Sequence, residues 1–173
     1  MKKQKLNIKV AQQKDWQRII DIYNEAVLET GKTADTEIQS IESRLCWLNE
    51  HLSEKTPILL AENKDKIIGW CSISSYRPGR KALVFVAEIS YYLDKEYRGY
   101  GIGEKLITET IKYAEGHGIK NLIAILLDIN FISINVLEKL GFEKWGHLPN
   151  IAEIDEKTCG QYIYGRNIEN FQQ

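Results

Sequence analysis

The chain has few cysteines and histidines, the residues that form disulfides and bind metal ions. Its 173 residues include three cysteines, an odd number with no closely spaced pair, at Cys46, Cys71 and Cys159. This pattern argues against a disulfide framework and against a zinc site. The three histidines also show no ligand spacing. We therefore expect free thiols and no bound metal.

Long apolar runs and an excess of one charge are also missing. The longest apolar runs, residues 82–87 and 122–127, are far shorter than the roughly 20 residues of a membrane span. No apolar signal segment follows the first lysines. The net charge of −1 gives no electrostatic reason to expect nucleic acid or an anionic membrane as a partner. These features predict a cytoplasmic protein without a membrane or nucleic-acid partner.

Length and composition are those of an ordinary globular domain. A chain of 173 residues with 43% hydrophobic and 27% charged residues can bury a core without disulfides or metal. We expect one domain over residues 1–173.

The most informative segment that is present is Arg98-Gly99-Tyr100-Gly101-Ile102-Gly103. Glycines allow backbone dihedrals that other residues avoid, and they let main-chain N–H groups approach a ligand. Residues 104–115 have a helical pattern, so an anion in this loop would lie at a helix N-terminus, where the dipole favours it. The segment predicts a phosphate-binding loop, although a tight turn before a helix would use the same glycines.

The spacing within this loop selects among phosphate ligands. A dinucleotide fingerprint needs a sixth-place glycine, where Glu104 or Leu106 stands, and a Walker A loop needs Gly-Lys followed by Ser or Thr. Arg98, Gly101 and Gly103 instead fit the pattern Arg/Gln-x-x-Gly-x-Gly/Ala. That pattern resembles the acetyl-CoA loop of the GCN5-related N-acetyltransferases.

Hydrophobic periodicity predicts alternating strands and helices around the loop. Strands are expected over residues 6–10, 57–62, 67–74, 82–93, 122–128, 142–146 and 161–166, and helices from Asp15, from a Ser40 cap, over 104–115 and over 133–140. Loops are expected over residues 31–39, 75–81 and 148–160, where a substrate pocket could be lined. This order predicts an α/β fold with a mixed, mostly antiparallel central sheet flanked by helices. It is similar to the acyl-CoA N-acyltransferase fold from end to end.

Four fragments in order carry a closer resemblance. They are Ile-Tyr-Asn-Glu-Ala-Val at 22–27, Gly-Trp-Cys-Ser at 69–72, Ala-Glu-Ile-Ser-Tyr-Tyr at 87–92 and Leu-Gly-Phe at 140–142. They resemble the phosphinothricin N-acetyltransferase family, which includes enzymes that acetylate methionine sulfoximine and methionine sulfone. The resemblance implies direct transfer of an acetyl group from acetyl-CoA to the primary amine of a small amino acid or analogue.

The resemblance also implies roles for cofactor-binding residues. Tyr91, Tyr92 and Leu93 would end a strand that splays from its neighbour and pairs with the pantetheine arm of acetyl-CoA. The pyrophosphate would be held by Arg98, Gly99, Tyr100, Gly101, Ile102 and Gly103. Asn130 matches an asparagine that contacts the cofactor, and a turn or cap role for it is equally open. Ser133 lies nearby and is expected to cap the next helix.

Glu88 is the candidate catalytic base. It interrupts the apolar run over residues 83–89, where a carboxylate must be paired, at an edge, or in a cleft. Partial burial would raise its pKa and suit a general base. An edge position facing solvent, or a pair with an arginine, is the alternative. The resemblance favours the base, with a main-chain donor near Tyr92 for the carbonyl oxygen.

The general acid is harder to place. Many acetyltransferases of this superfamily carry a tyrosine in the helix before Gly-Phe, and here that position is Leu137. A thiol with an ordinary pKa of about 8.5 is a tolerable leaving group, so water or another tyrosine could serve as the general acid.

Substrate contacts are predicted from loop charges. Arg77, Arg80 and Lys157 lie in the expected loops and suit the acidic end of an amino acid, although each could be an ordinary solvated charge. The four tryptophans, Trp16, Trp47, Trp70 and Trp145, are expected in the core rather than in a pocket.

Two other functions stay open. A peptide or aminoglycoside acceptor would use an acidic cleft, for which the loops offer only residues 153–156. A non-catalytic acyl-CoA sensor is suggested by Leu137. The fold often dimerises, so a homodimer is possible.

Overall fold

The computed structural model describes residues 6–169 of the chain. The strands in this part are β1 (Asn7–Val10), β2 (Ile58–Asn63), β3 (Lys66–Ser75), β4 (Val86–Leu93), β5 (Asn121–Leu127), β6 (Glu143–Ile154) and β7 (Lys157–Asn167). The α-helices are α1 (Trp16–Val27), α2 (Leu45–Glu50), α3 (Ile102–Gly116) and α4 (Phe131–Lys139). Short 3₁₀ turns cover Gln13–Asp15, Lys81–Leu83 and Lys95–Tyr97.

The described strands form one sheet in the order β1-β2-β3-β4-β5-β7-β6. Neighbouring strands are antiparallel, except for β4 and β5, which are parallel and joined through α3. The predicted fold class, a mixed and mostly antiparallel sheet flanked by helices, is therefore confirmed.

Two apolar clusters cover opposite faces of this sheet, because side chains alternate along each strand. On one face, Ala87 and Ile89 of β4 belong to the cluster that buries the apolar stripe of α3, with Leu106, Ile107 and Ile111 fully buried. The other cluster joins α1 and α2 to β2 and β3 and consists of Trp16, Ile19, Ile22, Leu48, Ile58, Leu60 and Trp70. Even-numbered residues of β4, including Glu88, therefore lie on the α1 side.

Two strand predictions were wrong at their boundaries. The expected strand over residues 82–93 begins only at Val86, since Lys81–Leu83 is a 3₁₀ turn. Residues 148–160 were expected as a loop, but most of them belong to the β6–β7 hairpin. Nearly every residue of β6 is at least partly exposed, so this edge strand has no clear apolar period. Its register also shifts between Leu148 and Ala152.

Helix starts also differ from those expected. Both α3 and α4 begin two residues earlier than predicted, at Ile102 and Phe131. The Ser40 hydroxyl accepts from Ser43 N–H (3.2 Å), but it caps only a turn, and α2 begins at Leu45. In the described part of the chain, no helix is both long and apolar enough to cross a membrane.

Helix α1 is tied to the loops at the strand ends. The Asn24 amide bonds both the N–H and the C=O of Gln39, each at 2.8 Å. The Glu25 carboxylate accepts from Lys95 N–H (2.9 Å) just after β4. Arg18 of the same helix pairs with Asp94. One helix therefore positions both the loop before α2 and the loop after β4.

We expect Leu106→Ala to destabilise the fold by about 2–5 kcal/mol, because this fully buried leucine would leave a cavity under α3. Urea unfolding measures the change. Leu28→Ala is the matched control, since Leu28 is 78% exposed, and its unfolding midpoint should stay close to that of the unchanged protein. Equal effects of the two substitutions would contradict this placement of the core.

Candidate active site

The central feature is a gap between β4 and β5. The parallel ladder joins Val86–Asn121, Ala87–Leu122 and Glu88–Ile123, and then it ends. Beyond it, β4 stays paired with β3 as far as Leu93, and β5 stays paired with β7 as far as Leu127. The gap opens into a cleft of about 350 Å³. Its walls are Lys32, Thr33, Ala34, Glu88, Ile89, Ser90, Tyr91, Tyr92, Ala124, Ile125, Leu126, Leu127, Asn130, Ser133, Leu137 and Gln161.

The main chain of β4 presents alternate residues to this gap. Asp94 N–H donates to Ile68 O, and Tyr76 N–H donates to Val86 O, both across to β3 and its continuation. Because main-chain directions alternate along a strand, even-numbered residues of β4 bond towards β3 and odd-numbered residues point towards β5. Past the end of the ladder, Tyr91 therefore directs its N–H and C=O into the gap. The main-chain N–H that faces the gap next to Tyr92 is that of Tyr91.

Glu88 is half-buried at the point where the ladder ends. It lies opposite Ser74 of β3, and burial raises the pKa of its carboxyl. No cation in residues 6–169 lies within ion-pair distance of it, so the arginine-paired alternative finds no partner there. A carboxylate in a cleft with a raised pKa is suited to proton transfer.

The glycine loop lies at one end of the gap, before α3. Gly99 and Gly101 have φ angles of +81° and +74°, in the left-handed region that favours glycine. Gly101 immediately precedes α3, and no side chain caps this end of the helix. The N–H groups of the first helical turn are therefore available to an anion. This backbone fits the pyrophosphate of a nucleotide cofactor.

Acidic residues hold this loop in place. The Arg98 guanidinium donates to both carboxylate oxygens of Glu29 (2.7 Å) and to Leu93 O (3.0 Å). The buried Asp94 pairs with Arg18 and with Lys66. Burial opposes its ionisation, but hydrogen bonds from Glu96 N–H and Lys66 hold the pKa of Asp94 below its usual value.

Asn130 and Ser133 line the cleft from the start of α4. The Asn130 side chain caps α4 by accepting from Ser133 N–H (3.4 Å), and it donates to Lys32 O (3.4 Å). The expectation that Ser133 caps the helix was wrong, because Ser133 lies inside its first turn. Its carbonyl instead accepts from the Tyr91 hydroxyl (3.4 Å), and burial raises the pKa of Tyr91 to about 12.

The three basic residues predicted for substrate do not line the cleft. Arg77 and Arg80 lie exposed between β3 and β4, with Arg77 over the Tyr76 ring, and Lys157 is exposed at the start of β7. Asp155, in the turn before β7, accepts from the Thr30 hydroxyl (2.6 Å), which brings the hairpin end towards the segment after α1. Lys32 of that segment is the basic residue in the cleft wall.

A second cavity of about 100 Å³ adjoins the cleft on the α1 side. Its walls are Ile19, Ile20, Tyr23, Arg44, Trp47, Trp70, Ser90 and Tyr92, and we call it the aromatic pocket. Trp16 and Trp70 are buried, as expected for core residues, and Trp70 also forms part of this wall. The core expectation was wrong for Trp145, which lies on the edge strand β6 and is 48% exposed. Sequence reasoning missed the pocket, because its residues come from four elements and share no spacing signal.

His51 lies next to the aromatic pocket, through its contact with Trp47. His51 is buried, with Nδ1 on Trp47 O (2.7 Å) and Nε2 on the Ser74 hydroxyl (3.0 Å). Burial lowers the pKa of His51, which favours the neutral ring. Across residues 6–169, no cluster of three or more His, Cys, Asp or Glu could hold a metal ion.

Comparison with known proteins identifies this architecture. A model of the acetyltransferase (GNAT) family matches residues 16–142. The chain belongs to the GNAT acetyltransferase family. It is therefore an acetyltransferase that uses acetyl-CoA, and the glycine loop and the gap provide a matching site.

Within this family, the chain is similar to phosphinothricin and methionine sulfoximine acetyltransferases. The chain is 34% identical to YwnH of Bacillus subtilis (strain 168), a candidate phosphinothricin acetyltransferase, over 94% of this chain and 99% of that protein. It is 29% identical to an L-methionine sulfoximine/L-methionine sulfone acetyltransferase of Pseudomonas paraeruginosa, over 78% of each chain. A GNAT superfamily phosphinothricin acetyltransferase from Sinorhizobium meliloti, solved with acetyl-CoA, superposes with a TM-score of 0.88 at 25% identity. That comparison covers 95% of this chain and 89% of the other.

We expect Gly101→Ala to weaken CoA binding about tenfold, because a left-handed alanine costs about 1–2 kcal/mol and shifts the loop N–H groups. Calorimetric titration with CoA measures the affinity. Gly116→Ala is the control, since Gly116 lies at the far end of α3 with open space around it and no positive φ. Unchanged affinity in Gly101→Ala would contradict a role for the loop backbone.

Proposed function

We propose that this enzyme moves the acetyl group of acetyl-CoA to the primary amine of a small amino acid or analogue, of the phosphinothricin or methionine sulfoximine type. The observation that carries the proposal is Glu88, a half-buried carboxylate without a cation partner in the described chain, at the edge of the gap. The names of the relatives supply the acceptor class.

Glu88 acts as the general base. The acceptor amine enters on the α1 side of the sheet and gives a proton to the carboxylate, directly or through water. Burial raises the pKa of Glu88, which strengthens it as a base. The carboxylate must be ionised, so activity is lost as the pH falls through this raised pKa.

The cosubstrate supplies an activated acyl thioester when bound. Tyr91 offers main-chain groups in the gap, where an extended arm can pair with β4 as an added strand. Its N–H is also the donor that we assign to the acyl carbonyl oxygen. Gly99 to Gly103 hold the pyrophosphate, and transfer is direct, with both substrates bound together.

The leaving sulfur needs a donor that Leu137 cannot provide. Leu137 is buried in the cleft wall, and the Tyr91 hydroxyl donates to Ser133 O, one turn earlier in the same helix. Because its pKa is raised to about 12, the hydroxyl stays protonated, and by turning from the Ser133 carbonyl it can donate its hydrogen bond to the departing thiolate. Tyr92 lies on the other face of β4 and is not available for this role.

The test is thiol release from acetyl-CoA with phosphinothricin, methionine sulfoximine, methionine sulfone, ordinary amino acids, an aminoglycoside and a short peptide as acceptors. We expect turnover with the small amino acids. Glu88→Gln should lower kcat by about 10²–10⁴-fold and keep CoA affinity, because it removes only the proton acceptor. The acid limb of the kcat–pH profile should disappear with it.

Glu143→Gln, an exposed site at the start of β6, is the matched control and should change neither rate nor pH profile. Full activity in Glu88→Gln would exclude the base assignment. Turnover with only the peptide or aminoglycoside would exclude the acceptor class. CoA binding without transfer to any amine would favour a sensor.

We expect Tyr91→Phe to lower kcat about tenfold with little change in acceptor KM, because one hydrogen bond of about 1.5 kcal/mol to the charged sulfur is lost. Acyl-CoA analogues with a more acidic thiol should recover most of that loss. Steady-state rates with the two acyl donors provide the comparison, and an equal loss with both would contradict the assignment.

The alternative polycationic acceptors have weaker support. The acidic residues Glu153, Asp155 and Glu156 lie at the end of the β6–β7 hairpin and are not part of the cleft wall. A homodimer belongs to the same proposal, and multi-angle light scattering tests it.

A further inference from the structure

The aromatic pocket has the size and walls of a side-chain subsite. Its volume of about 100 Å³ corresponds to roughly three water-sized groups, at about 30 Å³ each. Four aromatic rings surround it, with Tyr23 and Tyr92 edge to face at 4.9 Å and Trp47 and Trp70 at 5.8 Å between centroids. Rigid aromatic walls of this kind bind an apolar stem through dispersion and exclusion of water.

The pocket and the catalytic cleft share two wall residues. Ser90 and Tyr92 line both cavities, and they lie on the same face of β4 as Glu88. Residues two apart on a strand are about 6.6 Å apart, so Ser90 is about that far from Glu88 along β4. In an amino acid with an unbranched four-atom side chain, the distance from the amine to the end of the side chain is similar to this spacing. Such a ligand could place its amine at Glu88 and the end of its side chain in the pocket.

Arg44 gives the pocket a charged group. Its guanidinium lies over the Tyr23 ring, 5.3 Å from the centroid, and pairs through Nη2 with Asp35. Tyr23 also donates to Asp35 (2.6 Å) and contacts Thr33 (2.9 Å), so the group is held in place. Within residues 6–169, no acceptor lies within hydrogen-bond distance of Nε or Nη1 of Arg44. These donors suit an oxygen at the end of a ligand side chain.

We propose that the aromatic pocket binds the side chain of the acceptor amino acid and selects an unbranched chain whose end carries an oxygen acceptor, such as a sulfone, sulfoximine or phosphinate. The proposal rests on the proposed function and deepens it. The stem packs between Trp47, Trp70 and Tyr92, and the terminal oxygen accepts from Arg44.

The first test is a chain-length series of glycine, alanine, norvaline, norleucine and 2-aminooctanoate. We expect kcat/KM to rise about fourfold per methylene up to norleucine and then to fall, because each methylene leaves water until the pocket is full. Trp47→Phe enlarges the pocket and should move the optimum to a longer chain. Trp145→Phe is the matched control, since Trp145 lies in β6, outside both cavities.

Ile20→Val provides a second, milder enlargement of the same wall, in case Trp47→Phe does not fold. It should shift the optimum in the same direction. A profile that is flat in chain length, or one unchanged by both variants, would overturn the pocket assignment.

The second test is the ratio of kcat/KM for methionine sulfone to that for norleucine. We expect a ratio of at least about ten in the unchanged protein, reflecting one charge-assisted hydrogen bond, and a ratio near one in Arg44→Gln. CoA affinity should be unchanged in this variant. A ratio that survives the substitution would overturn the role of Arg44.

Different outcomes exclude the proposed function and the pocket assignment. If no amino acid is acetylated at all, the proposed function is wrong. If amino acids are acetylated without regard to side-chain length or terminal oxygen, only the pocket assignment is wrong.

Discussion

The separation of β4 from β5 after Glu88 is the constraint on which the site depends. Each strand keeps its outer partner, β3 or β7, along its whole length, so the sheet remains intact on both sides of the gap. The inner edges of β4 and β5 leave main-chain N–H and C=O groups without strand partners. Burying such groups away from water would cost free energy, but here they face a cleft where water or a ligand can bind them. The glycine loop continues from β4, and α4 follows β5, so both ends of the ligand site start at this gap.

Helix α1 couples the two halves of the site. Glu25 and Glu29 hold the segment after β4 and Arg98 of the glycine loop, while Tyr23 and Asn24 hold the segment that carries Lys32 and Asp35. These four residues lie on α1 or directly after it, so a shift of α1 would move the glycine loop and the segment with Lys32 and Asp35 together. Trp70 of β3 fixes this helix on the sheet by donating from its indole N–H to Ile19 O (2.9 Å).

Sequence reasoning reached the element order because β4 and β5 contain apolar runs and α3 has an apolar stripe of helical period. It failed for β6, whose residues are mostly exposed, and for the start of α2, where the Ser40 turn resembles a helix cap. Glu88 could be found because a carboxylate in an apolar strand is unusual. The aromatic pocket and the position of Lys32 in the cleft wall could not be found from the sequence, because they depend on how α1 and α2 pack on the sheet.

The sequence by itself determined the glycine loop, the acid in β4 and the absence of a tyrosine at residue 137, since these depend on residue type and local spacing. Only the tertiary structure decided which main-chain N–H of β4 faces the gap, that Tyr91 reaches α4, and that Arg77, Arg80 and Lys157 lie outside the cleft wall. The physical reason is that strand pairing and helix packing join residues far apart in the chain, and no local pattern records those contacts.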